Sequence, residues 1–136
     1  MQGLHLTADL HHCQCDERWL TDADALLNWC ERSIAAAGLQ CVARLAHRFA
    51  SVEGRPAGVT ASLLLAESHV CVHTWPELRS ATLDVYVCNF GADHSPRAHA
   101  LLESLLALFA PSRTERHEVW RGDLTPPAGH GKDQAA

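Results

Sequence analysis

Apolar and polar positions alternate with a period of two over residues 3–10, with Leu4, Leu6, Ala8 and Leu10 on one side and His5, Thr7 and Asp9 on the other. That pattern predicts a half-buried strand. Residues 11–16, His-His-Cys-Gln-Cys-Asp, read as a turn. The period then changes to that of a helix: Leu26, Leu27, Cys30, Ile34 and Ala37 form one stripe. Thr21 is the expected N-cap, Asp22 and Asp24 suit the positive end of the dipole, and Gly38 closes the helix. Strands are predicted over 39–49 and 59–66, separated by a Gly- and Pro-containing loop over 51–58. The apolar run Leu63-Leu64-Leu65-Ala66 suggests burial on both faces there. A short strand over 69–74 and a turn over 76–80 lead to a strand over 81–88, in which Leu83, Val85 and Val87 share a face. Ser95-Pro96 is an N-cap followed by proline at the first helical position. The stripe Ala98, Leu101, Leu102, Leu105, Leu106, Leu108 and Phe109 follows, and Pro111 stops it. A last strand is expected over 112–120, and residues 124–136, with no periodicity, as a flexible tail.

Six strands interrupted by two helices predict an α+β fold: a two-layer sandwich of a mainly antiparallel sheet with both helices on one face. The two halves read as loose copies of one unit, and the other sheet face is left for a second subunit. The 136 residues form one domain, expected over 1–123. A net charge of -5 with no basic run argues against nucleic acid as a partner. No apolar run spans a bilayer and Met1-Gln2-Gly3 starts no signal peptide, so a cytoplasmic location is expected, with no membrane partner. Cysteines 13, 15, 30, 41, 71 and 88 fall inside predicted elements or beside them and read as free thiols rather than a disulfide framework. His94, His99, His117 and His130 read as surface or hydrogen-bonded side chains.

Chemistry concentrates at the centre of the chain, in Ala66-Glu67-Ser68-His69-Val70-Cys71-Val72-His73-Thr74-Trp75-Pro76-Glu77. A serine at a strand junction is usually structural, and no Gly-x-Ser-x-Gly elbow surrounds Ser68. Yet His73 lies five residues on and Cys88 twenty. If the strands carrying them pair antiparallel, the three would converge as nucleophile, base and thiol acid. A metal site built on His11, His12, Cys13 and Cys15 is the rival, but neither paired Cys-x-x-Cys nor His-Glu-x-x-His spacing is present, so no metal is expected. Phe49 and Trp75 are core aromatics or stacking surfaces for a flat ligand.

The segments Glu67-Ser68-His69 and His73-Thr74-Trp75-Pro76-Glu77 closely resemble the self-processing site of the prokaryotic S-adenosylmethionine decarboxylases. Supporting matches are Gly3-Leu4-His5-Leu6, His47-Arg48-Phe49, Gly58-Val59-Thr60 and Leu83-Asp84-Val85 leading to Cys88. The resemblance implies a duplicated βαββ unit and a homodimer of αβ units. It implies that Ser68 Oγ attacks the Glu67 carbonyl, that the resulting ester eliminates, and that the chain parts between 67 and 68 into a β chain of 1–67 and an α chain of 68–136. Position 68 would become a covalent pyruvoyl group, an electron sink comparable to pyridoxal phosphate. His73 would be the base for processing, with Thr60 assisting at a position that usually holds serine. Cys88 would be the proton donor, Glu77 would hold the ribose, and Phe49 and Trp75 would stack on the adenine of S-adenosylmethionine. The implied function is supply of the aminopropyl donor for spermidine synthesis.

The chain departs from the family at Leu78-Arg79-Ser80, where Tyr-Gly-Tyr is common, at Asn89-Phe90-Gly91 after Cys88, and in a longer loop over 50–57. Two competing readings follow: the same machinery acting on ornithine or arginine, and an unprocessed, inactive paralogue that binds or regulates a partner.

Overall fold

A computed structural model describes residues 2–124. The expected tail lies outside the described residues apart from Leu124. The elements are β1 (Gly3–Cys13), α1 (Arg18–Thr21), α2 (Ala23–Ala36), β2 (Cys41–Arg48), β3 (Val59–Leu65), β4 (Ser68–Trp75), a 3-10 turn (Pro76–Leu78), β5 (Ser80–Cys88), α3 (Ser95–Phe109) and β6 (Pro111–Arg121). The strands form one sheet in the order β2-β3-β4-β5-β1-β6. Every neighbouring pair is antiparallel. Each half of the chain, up to and after Glu67, supplies three strands and one main helix.

Period-two alternation sorts the sheet into two faces. Leu4, Leu6, Ala8 and Leu10 of β1 join Ala61 and Leu63 of β3, Val70 and Val72 of β4, and Leu83, Val85 and Val87 of β5 in a single buried core. Leu26, Cys30 and Ile34 of α2 and Ala98, Leu101, Leu102, Leu105 and Phe109 of α3 complete it. This is the expected α+β sandwich. The opposite row carries His5, Thr60, His69, Cys71, His73, Asp84 and Tyr86, and none of these is in the core.

Several boundaries differ from the sequence reading, each for a local reason. His11, His12 and Cys13 extend β1 instead of turning, because β6 continues to pair alongside as far as Pro111. Thr21 ends the unforeseen short helix α1, and Asp22 caps α2 by accepting the Ala25 amide at 3.0 Å. Ser95 is already helical, following His94 as the cap. The run 63–66 is buried on one side only: Leu63 and Leu65 face the helices while Leu64 is half exposed. Antiparallel pairing with helices on one face leaves the second face open, whatever the apolar run suggests.

One buried hydroxyl joins three elements. Thr74 Oγ1 donates to the Leu20 carbonyl at 2.7 Å and accepts the Val59 amide at 2.9 Å. It thereby ties the end of β4 to the start of β3 and to α1. Gly58 fits beside it because a Cβ there would sit 2.0 Å from the Thr74 carbonyl oxygen. Thr74→Val leaves a buried donor and a buried acceptor without partners, so we expect a loss of about 1–3 kcal/mol in chemical denaturation, largely restored by Thr74→Ser. An unchanged midpoint for Thr74→Val would contradict this clamp.

Candidate active site

Ser68 opens β4 directly after a two-residue turn. Leu65 pairs with Ser68, so Ala66 and Glu67 alone make the reversal. Glu67 takes the left-handed conformation, φ 64°, which a residue with a Cβ adopts at a cost. The Ser68 hydroxyl accepts the backbone amide of Cys88 at 3.1 Å. Ser68 and Cys88, twenty residues apart, are therefore neighbours, as antiparallel pairing of β4 and β5 requires. The peptide bond before Ser68 sits in a strained turn, and its hydroxyl is held by a fixed donor.

His73 does not join them. It pairs with Thr60 on β3 and Thr82 on β5, five residues further along β4. At a rise of about 3.3 Å per residue this puts it roughly 17 Å from Ser68. Five is also an odd number, so Ser68 falls in the row of Val70 and Val72 while His73 belongs to the open row. The expected convergence of Ser68, His73 and Cys88 within one chain is thus corrected: Cys88 meets Ser68 through its backbone amide, with its side chain in the row of Asp84 and Tyr86, and His73 stands at the other end of the strand.

At that other end His73 has its own company. Its Nδ1 shares a hydrogen bond of 3.0 Å with Thr60 Oγ1. Both line a cavity of about 570 Å³ together with Phe49, Trp75 and Glu77. Phe49 is 50% and Trp75 40% exposed, so both are wall rather than core aromatics. The loop between β2 and β3 closes the cavity through Val52, Glu53, Arg55 and Pro56. Every residue named from sequence for processing assistance or for substrate contact, other than Glu67, Ser68 and Cys88, is therefore gathered here.

The open face holds a polar cluster that the sequence reading did not single out. His5 Nε2 donates to Asp84 Oδ1 at 2.9 Å. The rings of His5, His69 and Tyr86 surround one another with centroids 5.6–6.2 Å apart. Tyr86 lies across Gly3, where a Cβ would meet its hydroxyl at 2.6 Å, and the Arg121 guanidinium covers the ring at 5.3 Å. Burial first, and then the neighbouring His5, hold the His69 imidazole below its usual range, opposed by Asp84. The alternation of β1 and β5 already placed these side chains on polar rows; the pairing that joins the rows was not readable.

The remaining candidates resolve simply. All six cysteines are free. Burial, then Cys15, pushes the Cys13 thiol up to about 11, and burial, then Cys41, pushes Cys30 to about 12, so both are poor nucleophiles at neutral pH. Among the described residues no three His, Cys, Asp or Glu side chains are arranged to hold a metal ion. Arg79 turns away from the cavity: its guanidinium donates to the carbonyls of Cys13 and Cys15. Asn89 accepts the His94 amide at 2.8 Å and donates to Ser95 Oγ at 3.2 Å, folding 89–94 onto the start of α3. No helix among the described residues is long and apolar enough to cross a membrane.

A family profile described as S-adenosylmethionine decarboxylase matches residues 4–122. The chain is 32% identical over 122 residues to the S-adenosylmethionine decarboxylase proenzyme of Persephonella marina, covering 90% of this chain and 84% of that one. It is 33% identical over 121 residues to the proenzyme of that name from Pyrobaculum aerophilum, with 89% and 86% covered. Among solved structures, the adenosylmethionine decarboxylase of Aquifex aeolicus VF5 superimposes with a TM-score of 0.76 at 27% identity, over 93% of this chain and 96% of that one.

The polar cluster carries its own check by NMR titration. Removing the like-charged neighbour with His5→Gln should raise the His69 pKa, and removing the carboxylate with Asp84→Asn should lower it further. A His69 titration indifferent to both substitutions would mean the three groups are not coupled.

Proposed function

The chain belongs to the S-adenosylmethionine decarboxylase family, and from that premise we propose that it is a self-processing, pyruvoyl-dependent decarboxylase of S-adenosylmethionine, serving spermidine synthesis in the cytoplasm. The observation that carries the processing step is Ser68 itself. Its hydroxyl is fixed by the Cys88 amide, and the Glu67–Ser68 peptide lies at a two-residue turn with Glu67 at φ 64°. A strained, accessible peptide next to a positioned hydroxyl fits a residue that is to be converted into a new N-terminal carbonyl group. A pyruvoyl group at position 68 would supply the electron sink that decarboxylation needs. Cys88, on the neighbouring strand, supplies the proton.

The cavity supports the choice of substrate. Phe49 and Trp75 offer two aromatic walls for an adenine, and Glu77 a carboxylate for ribose hydroxyls. Ornithine or arginine needs no such walls.

The separation of the two ends of β4 supports a homodimer. Ser68 and Cys88 stand at one end, and Thr60, His73 and the cavity at the other. A two-fold axis near the middle of the strand exchanges its ends, so the Ser68 end of one copy meets the His73 end of its partner. The open face through which copies would meet exposes Leu45 (76%) and Leu64 (51%) beside its polar row. In this arrangement each site takes nucleophile and proton donor from one chain, and His73, Thr60 and the substrate walls from the other.

Two experiments test the proposal. Intact mass of the purified wild type should show a fragment of 1–67 and a second fragment lacking ammonia relative to 68–136; Ser68→Ala should stay whole. A wild type that also stays whole removes the decarboxylase reading for the isolated chain and favours the inactive paralogue. The split site is tested by co-expressing Ser68→Ala with His73→Ala. Each variant alone should be inactive, and the mixture should recover about a quarter of wild-type turnover through heterodimers (one intact site of two in each, and roughly half of all dimers mixed). Absence of recovery in proven heterodimers would show that the site lies within one chain.

A further inference from the structure

The loop over 50–57 is built more rigidly than its composition suggests. Its base is closed by the Phe49 amide donating to the Gly58 carbonyl at 3.0 Å. Its tip is closed by Val52 and Arg55, whose amides and carbonyls exchange two hydrogen bonds of 3.0 Å. Glu53 and Gly54 between them have φ of 53° and 76°. Positive φ at both central residues is the signature of a type I′ turn, which strongly prefers Asn-Gly or Asp-Gly. Gly54 satisfies that preference; Glu53 does not. A glutamate held in the left-handed region is strained, and turn chemistry gives no reason for it.

The position of the residue supplies one. Glu53 lines the same cavity as Phe49, Trp75 and Glu77. Neither Glu53 nor Glu77 forms an ion pair among the described residues. The cavity therefore carries two unpaired carboxylates and, from the same turn, one guanidinium, Arg55. Its charge balance favours a cation in contact with aromatic walls.

We infer that Glu53 is a specificity-determining residue that recognises the positive charge at sulfur in the substrate, distinguishing a sulfonium nucleoside from the neutral thioether left when that charge is lost. This rests on the proposed function: the ligand is an adenosine carrying a sulfonium. Glu77 on the 3-10 turn and the exposed Glu53 on the loop line the cavity from different elements. Arg55 works against the preference and tunes it downward.

The test uses two small ligands that lack the amino-acid arm and so cannot react: 5′-methylthioadenosine, which is neutral, and its S-methyl sulfonium. Calorimetry on the purified full chain gives the affinity ratio of sulfonium to thioether. Glu53→Gln should reduce that ratio roughly three- to fivefold while leaving methylthioadenosine affinity within about twofold. Arg55→Ala should move the ratio the other way. A ratio unchanged in Glu53→Gln, or lowered in Arg55→Ala, overturns the assignment while leaving the decarboxylase reading intact. Failure of the wild type to bind either nucleoside overturns the adenosine cavity itself, and the role of Glu53 with it.

Discussion

The two-residue reversal between β3 and β4 is the constraint on which the rest depends. A hairpin of that length permits one register, and a slip of a single residue would move every side chain of β4 to the other face. With Leu65 opposite Ser68, Thr60 necessarily falls opposite His73. With His69 opposite Tyr86 on the other flank, Ser68 falls beside the Cys88 amide. The same turn forces Glu67 into the left-handed region, so the peptide proposed to break adjoins a strained residue. Thr74 then locks the far end of the hairpin, where its hydroxyl holds β3 and α1 together beneath the cavity.

A second consequence follows from having helices on one side only. The covered face takes the apolar row of each strand, which leaves the polar row in the open. His5, His69, His73, Cys71, Asp84 and Tyr86 all lie on it. The His5–Asp84 bond and the seating of Tyr86 over Gly3 show that these groups are ordered by one another. An ordered polar face beside exposed Leu45 and Leu64 suits contact with a second copy, which is the arrangement proposed for completing the site.

Departures from the family pattern take on local meaning in three dimensions. Arg79, in the middle of the Leu78-Arg79-Ser80 segment where Tyr-Gly-Tyr is common, fastens the β4–β5 connection to the end of β1 and keeps clear of the cavity. Asn89 stitches the connection after Cys88 to the first turn of α3. The longer loop after β2 is a hairpin with a defined turn, and it adds a wall and two charges to the cavity. The first two changes contribute no lining to the cavity; the third is the one proposed to bear on what the site selects.

Alternation and helical spacing were enough to determine the α+β class, the order of the strands and the two main helices, and the core, because burial of one row or one stripe is a local property of each segment. Leu4 to Leu10, the stripe from Leu26 to Ile34 and that from Ala98 to Phe109 all lie where their periods placed them. The motif from Glu67 to Glu77 was equally legible as a motif, and the neighbourhood of Ser68 and Cys88 followed from assuming antiparallel strands. The tertiary structure alone decided the rest. Which strand neighbours which depends on long-range pairing, so the joining of His5, Asp84, His69 and Tyr86 was invisible in sequence. Helix starts moved because Leu20 sinks into the core and its carbonyl meets Thr74, a contact across 54 residues. Distance along a rigid strand was decisive too: five residues look close in sequence, yet an extended backbone holds Ser68 and His73 roughly 17 Å apart.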